Sequence, residues 1–349
     1  MKVGVFTIFA VPNYGAMLQA HGLSSHLRRE GIDAEVVNYR QPELEGYFRF
    51  KWSFPPAVNH WRRLRNGDRF VEKTIPTSKI ITRSLDELRD QLQGYDAFIT
   101  GSDQVWFTGP VQFYDPMFFL DFPALGKRKI SYAASAGGNE TFGAFEGRVK
   151  TALADFDHLG VRDAHTESLI RHLTDKPITR TVDPVFLYGF EELLSSEPPS
   201  KEPYILVFGD FRGDLAKVVR EARAATGINK VVTLQYPCPE ATIRLSSAGP
   251  AEWLNHFRHA SYVVTSYFHG TVAAVKFKRP FVAVPTPGRR HKVATLLEPV
   301  GLRERCFLDA KELDRLPEIL RQTPDWAQVE AKLKPMISSS KAFLKSALT

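Results

Sequence analysis

The sequence predicts an α/β protein built from two doubly wound, Rossmann-like domains that face a cleft. Three observations carry this. Continuous apolar runs of strand length alternate with stretches of helical period along most of the chain. The length, 349 residues, matches two domains of about 100–200 residues each. The alternation is interrupted at "SSEPPSKEP" (195–203), where Pro, Ser and charge cluster as in a linker. The expected division is 1–195, 203–325, and a last helix over 326–349 that packs back on the first domain.

The elements follow in order. "VGVFTIFA" is apolar throughout, as a parallel strand covered on both faces should be. After the loop "VPNYG", the stretch "AMLQAHGLSSHLRREG" places Ala16, Ala20, Leu23 and Leu27 at helical spacing, and Gly31 closes the element. "AEVVNY" reads as the second strand. Residues 43–75 are rich in aromatics, Arg and Pro without a clean period, and read as an irregular excursion able to cover a site. "YDAFIT" and "RKISYAASAGG" are strands that end in turns of small residues. "HLGVRDAHTESLIRHL" is a short strand followed by a helix that Asp163 caps. Beyond the linker, "YILVFG", "KVVTLQY", "YVVTS" and "FVAVPT" are strands. Between them "DLAKVVREARAATG", "PAEWLNHFRHA" and "GTVAAVKFKRP" are helices.

Composition narrows the function classes. Hydrophobic residues make up 43% and charged residues 24%, the balance of an ordinary globular protein. A net charge of +7 favours an anionic partner such as a phosphate metabolite or an acidic membrane face. The basic residues are scattered in pieces such as "HWRRLRNGDR" and "GRRHK", with no basic tail, so no nucleic-acid partner is expected. Cys238 and Cys306 form no CxxC and no metal-like spacing, which points to a reducing compartment. The apolar start is too short to span a bilayer, and no later run reaches the ~20 apolar residues of a membrane helix. The expected location is the cytoplasm, with peripheral association at the inner face of the membrane.

Candidate site residues gather at strand ends, where open parallel sheets bind ligands against the amino ends of the following helices. In "YVVTSYFHGT", His269 stands at such a lip. Gly270 lets a ligand approach the backbone, and Thr271 adds a hydroxyl beside free helix N–H groups. Histidine there can hold or donate a proton near neutral pH; alternatively it hydrogen-bonds a neighbouring loop and organises the junction. "GSDQ" puts Ser102, Asp103 and Gln104 in a tight turn that reads either as a binding turn or as a helix cap. Arg162 follows "HLGV" at the same rim, for a ligand or for a structural salt bridge. "PTPGRRHK" supplies Arg289, Arg290, His291 and Lys292, an anion site or a solvated basic loop. Asn13 closes the first strand as a ligand contact or a turn residue. His256 and His259 lack a third ligand nearby, so no metal site is expected. The absence of GxxxxGK[ST], GxGxxG, GxSxG and HExxH argues against a Walker ATPase, a common Rossmann dehydrogenase, an α/β-hydrolase and a zincin.

Taken in order, "NYGAMLQAHGL", "YDAFITGSDQVW", "KISYAASAGG", "VRDAHTES", "TVDPVFL", "VVTSYFHGTVAAVKFKRPFV" and "LLEPVGLRER" resemble the polysaccharide pyruvyl transferase family, in a branch marked by GSDQVW and FHG. The resemblance implies a GT-B-like pair of domains, the first on the acceptor side and the second on the donor side. It implies transfer of a pyruvyl group from phosphoenolpyruvate to two sugar hydroxyls, giving a pyruvate ketal and phosphate, with no redox cofactor and no metal. By the same resemblance His269 matches the catalytic histidine, and Arg162 matches the arginine of the RD segment. Asp103 would orient or deprotonate an acceptor hydroxyl. Asn13, Ser102, Gln104, Tyr267, Gly270, Thr271, Arg289, Arg290 and Lys292 would bind substrates.

One departure stands out: many relatives carry Arg two positions before the histidine, where this chain has Tyr267, so either that work passes to Arg289, Arg290 or Lys292, or this branch uses another donor. The aromatic segment 46–61, "GYFRFKWSFPPAVNHW", is the candidate for acceptor selection. A lipid-linked oligosaccharide is an acceptor compatible with the basic charge. Two rival readings remain from the sequence, a glycosyltransferase using a nucleotide sugar and a glycan-binding relative that has lost the chemistry.

Overall fold

The computed structural model describes residues 1–42, 57–109, 114–123, 126–210 and 214–349. Contacts divide the chain into two units. The first comprises Met1–Ser53, Gly67–Gly189 and Pro335–Thr349, and the second Phe54–Asn66 and Phe190–Lys334.

In the first unit the described elements run β1 (Lys2–Phe6), α1 (Tyr14–Arg29), β2 (Asp33–Val36), α2 (Ala57–Thr74, shared with the second unit), α3 (Leu85–Leu92), β3 (Ala97–Thr100), β4 (Arg128–Ala134), α4 (Glu146–Ala154), β5 (His158–Val161), α5 (Ala164–Arg171) and β6 (Ile178–Arg180). All pairings are parallel, in the order β2-β1-β3-β4-β5-β6. β3 is buried at every position, which explains its continuous apolar run. Asn13 caps α1, its side-chain oxygen accepting from Gly15 N at 3.0 Å and Ala16 N at 3.4 Å, and Gly31 follows in the left-handed region at φ 82°. Asp163 caps α5 through Thr166 N at 2.8 Å.

The second unit contains β7 (Ile205–Phe208), α6 (Leu215–Thr226), β8 (Val231–Leu234), β9 (Ile243–Leu245), α7 (Pro250–His259), β10 (Tyr262–Thr265), α8 (Phe268–Lys276), β11 (Phe281–Ala283), α9 (Arg290–Leu297) and α10 (Leu316–Arg321). Its parallel strands lie in the order β11-β10-β7-β8-β9. The last helix, α11 (Trp326–Leu348), carries Pro335 in its interior, and the residues from Pro335 onward belong to the first unit. There Ser340 Oγ accepts from Val182 N at 2.9 Å, and Phe343 packs on Tyr132 and His158 at 6.4 and 6.2 Å between ring centres. Among the described residues, no helix is long and apolar enough to cross a membrane.

Two sequence expectations differ from the structure. The aperiodic reading of 43–75 fails over Ala57–Thr74, an 18-residue helix. Its buried positions Arg63, Gly67, Phe70 and Val71 follow helical spacing. Two of the four are Arg and Gly, so hydropathy hid the period. Residues 43–56, most of the segment assigned to acceptor selection, lie outside the described residues. The Pro- and Ser-rich stretch 195–203 falls inside the second unit. Ser195 N donates to Asn255 Oδ1 at 2.6 Å, and Asn255 Nδ2 donates to Leu193 O at 2.7 Å, so side-chain bonds to α7 hold the chain there.

Candidate active site

Strand order locates a binding crevice within each sheet, because ligands bind beyond the carboxyl ends of strands where the winding direction reverses. In the first sheet that reversal falls between β1 and β3, and in the second between β7 and β10.

At the first, the chain after β3 is the turn Gly101-Ser102-Asp103-Gln104. Gly101 sits at φ 107°, and a Cβ there would lie 2.2 Å from Tyr132 O, so no other residue fits. Thr7 Oγ1, beyond β1, donates to Ser102 O at 2.9 Å and accepts from Gln19 Nε2 at 2.8 Å, tying the two strand ends together. The motif's tryptophan anchors the turn in the core: Trp106 is fully buried, stacks on Phe119 at 5.8 Å, and donates Nε1–H to Phe118 O at 3.1 Å.

Asp103 takes φ 77°, a conformation that costs a non-glycine residue on the order of 1–3 kcal/mol. Its carboxylate accepts from Arg162 Nη2 at 3.5 Å. Arg162 Nη1 donates to Asp183 Oδ2 at 3.1 Å, and Asp183 Oδ1 accepts from Val185 N at 3.0 Å. The Arg162 and Asp183 side chains are 3% and 0% exposed, and that of Asp103 is 13% exposed. One guanidinium therefore serves two carboxylates. Arg162 has its charge compensated within the protein, and Asp103 is the member with an outward edge.

The other residues assigned here are held in local packing or caps. Ser102 is fully buried, so its hydroxyl does not face solvent in this conformation. Gln104 is half-buried against Gly137, and Asn13 is the cap already described. Asp183, in "TVDPVFL", is a partner that local sequence reasoning misses; an aspartate before proline at a strand end is its only sequence signal.

At the second reversal, Asp210 N donates to Ser266 Oγ at 2.9 Å, joining the ends of β7 and β10. The first turn of α8 lies directly on β10. A Cβ on Gly270 would come within 2.2 Å of Thr265 Oγ1, which itself donates to Phe208 O at 2.7 Å. His269 is half-buried in this turn, its ring edge-on to Phe268 at 5.3 Å. The opening N–H groups of the helix have no intrahelical acceptor. Thr271 is turned inward, its hydroxyl donating to Tyr267 O at 3.2 Å, so it serves the helix start.

Tyr267 stands before the helix. Its ring stacks on Tyr236 at 5.4 Å and 25°, packs on Phe208 at 5.1 Å, and carries the Arg289 guanidinium 4.4 Å above its centre. Burial, then the neighbouring Tyr236, pushes the Tyr267 phenol well above its ordinary range, so it stays neutral. Arg289 Nη1 donates to Thr286 Oγ1 at 2.8 Å.

The basic residues 289–292 have different surroundings. Arg290 instead lines a separate recess at the end of β11 with Asp214, Thr286 and Asp309, and Lys292 lies half-buried on α9. Tyr236 was missed in the sequence; it sits in a loop 31 positions before Tyr267, and nothing local marks it. The two histidines on α7 are differently exposed. Burial pushes His256 down to about 4, and His259 Nε2 lies 3.1 Å from Ser195 O.

Comparison with known proteins gives a family and a fold. The family described as polysaccharide pyruvyl transferase matches residues 13–287. No curated protein matches the chain significantly. Among solved structures, Arabidopsis thaliana UGT89C1 complexed with UDP-L-rhamnose is similar at a TM-score of 0.55 and 14% identity, over 99% of this chain and 97% of that one. The Streptomyces sp. SF2575 glycosyltransferase SsfS6, complexed with thymidine diphosphate, aligns over 100% of both chains at a TM-score of 0.54 and 14% identity. The S. aureus MnaA–UDP structure gives 0.53 and 11%, over 98% and 97%. At these identities the likeness establishes the GT-B type of fold.

Proposed function

The chain belongs to the polysaccharide pyruvyl transferase family, and from that premise we propose that it moves a pyruvyl group from phosphoenolpyruvate to two hydroxyls of one saccharide, forming a pyruvate ketal and releasing phosphate. Membership itself implies transfer to a saccharide acceptor. The observation that carries the finer reading is the second sheet's switch point. A histidine in the first turn of α8 there adjoins a tyrosine that carries a guanidinium on its face.

The donor bears a phosphate and a carboxylate, so it needs cations and N–H donors. Each charge-assisted hydrogen bond contributes about 1.5–3 kcal/mol. Arg289 and the opening N–H groups of α8 supply these. His269 delivers a proton to the donor's methylene carbon, which becomes the methyl group and leaves positive charge at C2. The first sugar hydroxyl attacks C2 and gives its proton back to His269. The C2–O bond to phosphate then breaks, and the second hydroxyl closes the ketal as its proton leaves with phosphate. Asp103, with its outward edge, accepts the hydrogen bond that orients the acceptor. Arg162 acts through Asp103, as a positioning residue. Proton transfer and charge neutralisation are met by side chains, so the scheme asks for no separate cofactor. The charge of +7 supports an acceptor presented at an anionic lipid face, as a lipid-linked oligosaccharide would be.

The test is His269→Gln. General acid–base catalysis contributes about 10²–10⁴-fold, so phosphate release from phosphoenolpyruvate with acceptor should fall by at least a hundredfold at unchanged melting temperature. Loss of less than about tenfold removes His269 from the mechanism. Wild-type protein stabilised by UDP- or GDP-sugars, and not by phosphoenolpyruvate, would favour a glycosyltransferase.

A further inference from the structure

We infer that Tyr267, seated on Tyr236, is a positioning residue that aims the Arg289 guanidinium at the anionic end of the donor. The inference deepens the pyruvyl-transfer reading and rests on it for the donor's identity.

The geometry is a ladder. Tyr236 stacks on Tyr267 at 5.4 Å, Phe208 supports the Tyr267 ring at 5.1 Å, and Arg289 Cζ lies over that ring at 4.4 Å. Thr286 Oγ1 holds one terminal nitrogen at 2.8 Å, so the guanidinium is fixed by a plane below and a hydrogen bond at one edge. Fixing a long side chain before a ligand arrives removes an ordering cost from the binding step. Among the described residues, no carboxylate lies within ion-pair distance of Arg289, unlike Arg162 with its two. A planar fork held this way matches a carboxylate or a phosphate. The ladder stands where a ligand of this sheet belongs: Tyr267 immediately precedes α8 at the reversal between β7 and β10. Arg289 lies outside the 13–287 span of the family match, so the family signal does not supply this residue.

The role attributed to Tyr267 belongs to its ring face. The phenol has no part in it, and this separates positioning from direct contact with the substrate. The experiment is a double-mutant cycle read by calorimetric titration with phosphoenolpyruvate and, separately, inorganic phosphate. Arg289→Ala should weaken phosphoenolpyruvate on the order of tenfold to a hundredfold. Tyr267→Leu should approach the same loss, and Tyr267→Phe, which keeps the ring, should stay within about threefold of wild type. Adding Tyr267→Leu to Arg289→Ala should cost nothing further.

Two results overturn the inference: equal losses for Phe and Leu at position 267, or additive losses in the double variant. Arg289→Lys, at a half-exposed position that folding tolerates, covers the case in which Tyr267→Leu fails to fold. It keeps the charge without the stacking plane, and wild-type affinity there overturns the inference as well. Wild-type protein that binds neither anion also overturns it. Phosphate binding that depends on the couple, with no phosphate release from phosphoenolpyruvate for any saccharide, sinks the pyruvyl-transfer reading and leaves the couple standing.

Discussion

Arg162 in the first unit and Arg289 in the second both lie beyond the end of a parallel strand, yet their surroundings are opposite. Arg162 is 3% exposed and shared between Asp183 and Asp103. Arg289 is half-exposed, lies on an aromatic face, and donates to a neutral hydroxyl. A buried guanidinium has to be compensated by the protein, because an unpaired charge there is costly. A guanidinium on a ring keeps its charge for a ligand. The contrast separates an arginine whose charge is paired within the protein from one held on an aromatic face, the arrangement that the proposed donor contact requires.

The contrast can be broken most easily at Asp183. Asp183→Ala leaves the buried guanidinium without its closer partner, and stability should fall by about 3–5 kcal/mol in urea unfolding followed by tryptophan fluorescence. A loss under about 1 kcal/mol would mean that the pair is not compensating. The matching change, Arg289→Ala, should shift stability by no more than about 0.5 kcal/mol while donor affinity collapses. Equal destabilisation by the two variants would erase the distinction. Gly270→Ala comes next, since its Cβ would meet a bonded Thr265 Oγ1 at 2.2 Å. Overpacking there should cost about 1–3 kcal/mol, and activity should fall further as α8 shifts its first turn.

The last effect is spread over a range of pH. Burial first, then His259, lowers the His256 pKa from 6.5 to about 4. Between those values the unfolded chain binds more protons than the folded one, so stability rises with pH across the interval. This contribution is present above about pH 6.5 and is lost as pH falls toward 4. Its slope is at most about 1.4 kcal/mol per pH unit. His26, buried in the first unit, is shifted the same way by burial and by Lys341. Acid titration of His256→Gln should therefore flatten only part of the wild-type slope, and an unchanged slope would show that His256 is not buried neutral.

Most of the fold could be read from the chain because its signals are short-range. An apolar run such as "YILVFG" announces a strand covered on both faces, and Asp163 or Gly31 announces a helix end within a few residues. Arg63 and Gly67 defeated that method on α2, since a buried face need not be apolar. The site was legible as positions and less so as roles. His269, Asp103 and Arg289 were placed at strand ends, while the inward turns of Ser102 and Thr271 depend on what packs beneath them.

The sequence by itself determined the succession of strands and helices, and with it which residues stand at the carboxyl ends of strands. Tertiary structure decided which of those residues meet. Arg162 finds Asp183 and Asp103 across 21 and 59 positions, and Tyr267 finds Tyr236 and Arg289 from loops on other strands. Period and capping act over three or four residues, within reach of a local pattern. Charge compensation and ring stacking act through space, between neighbours that exist only once the strands lie in their order.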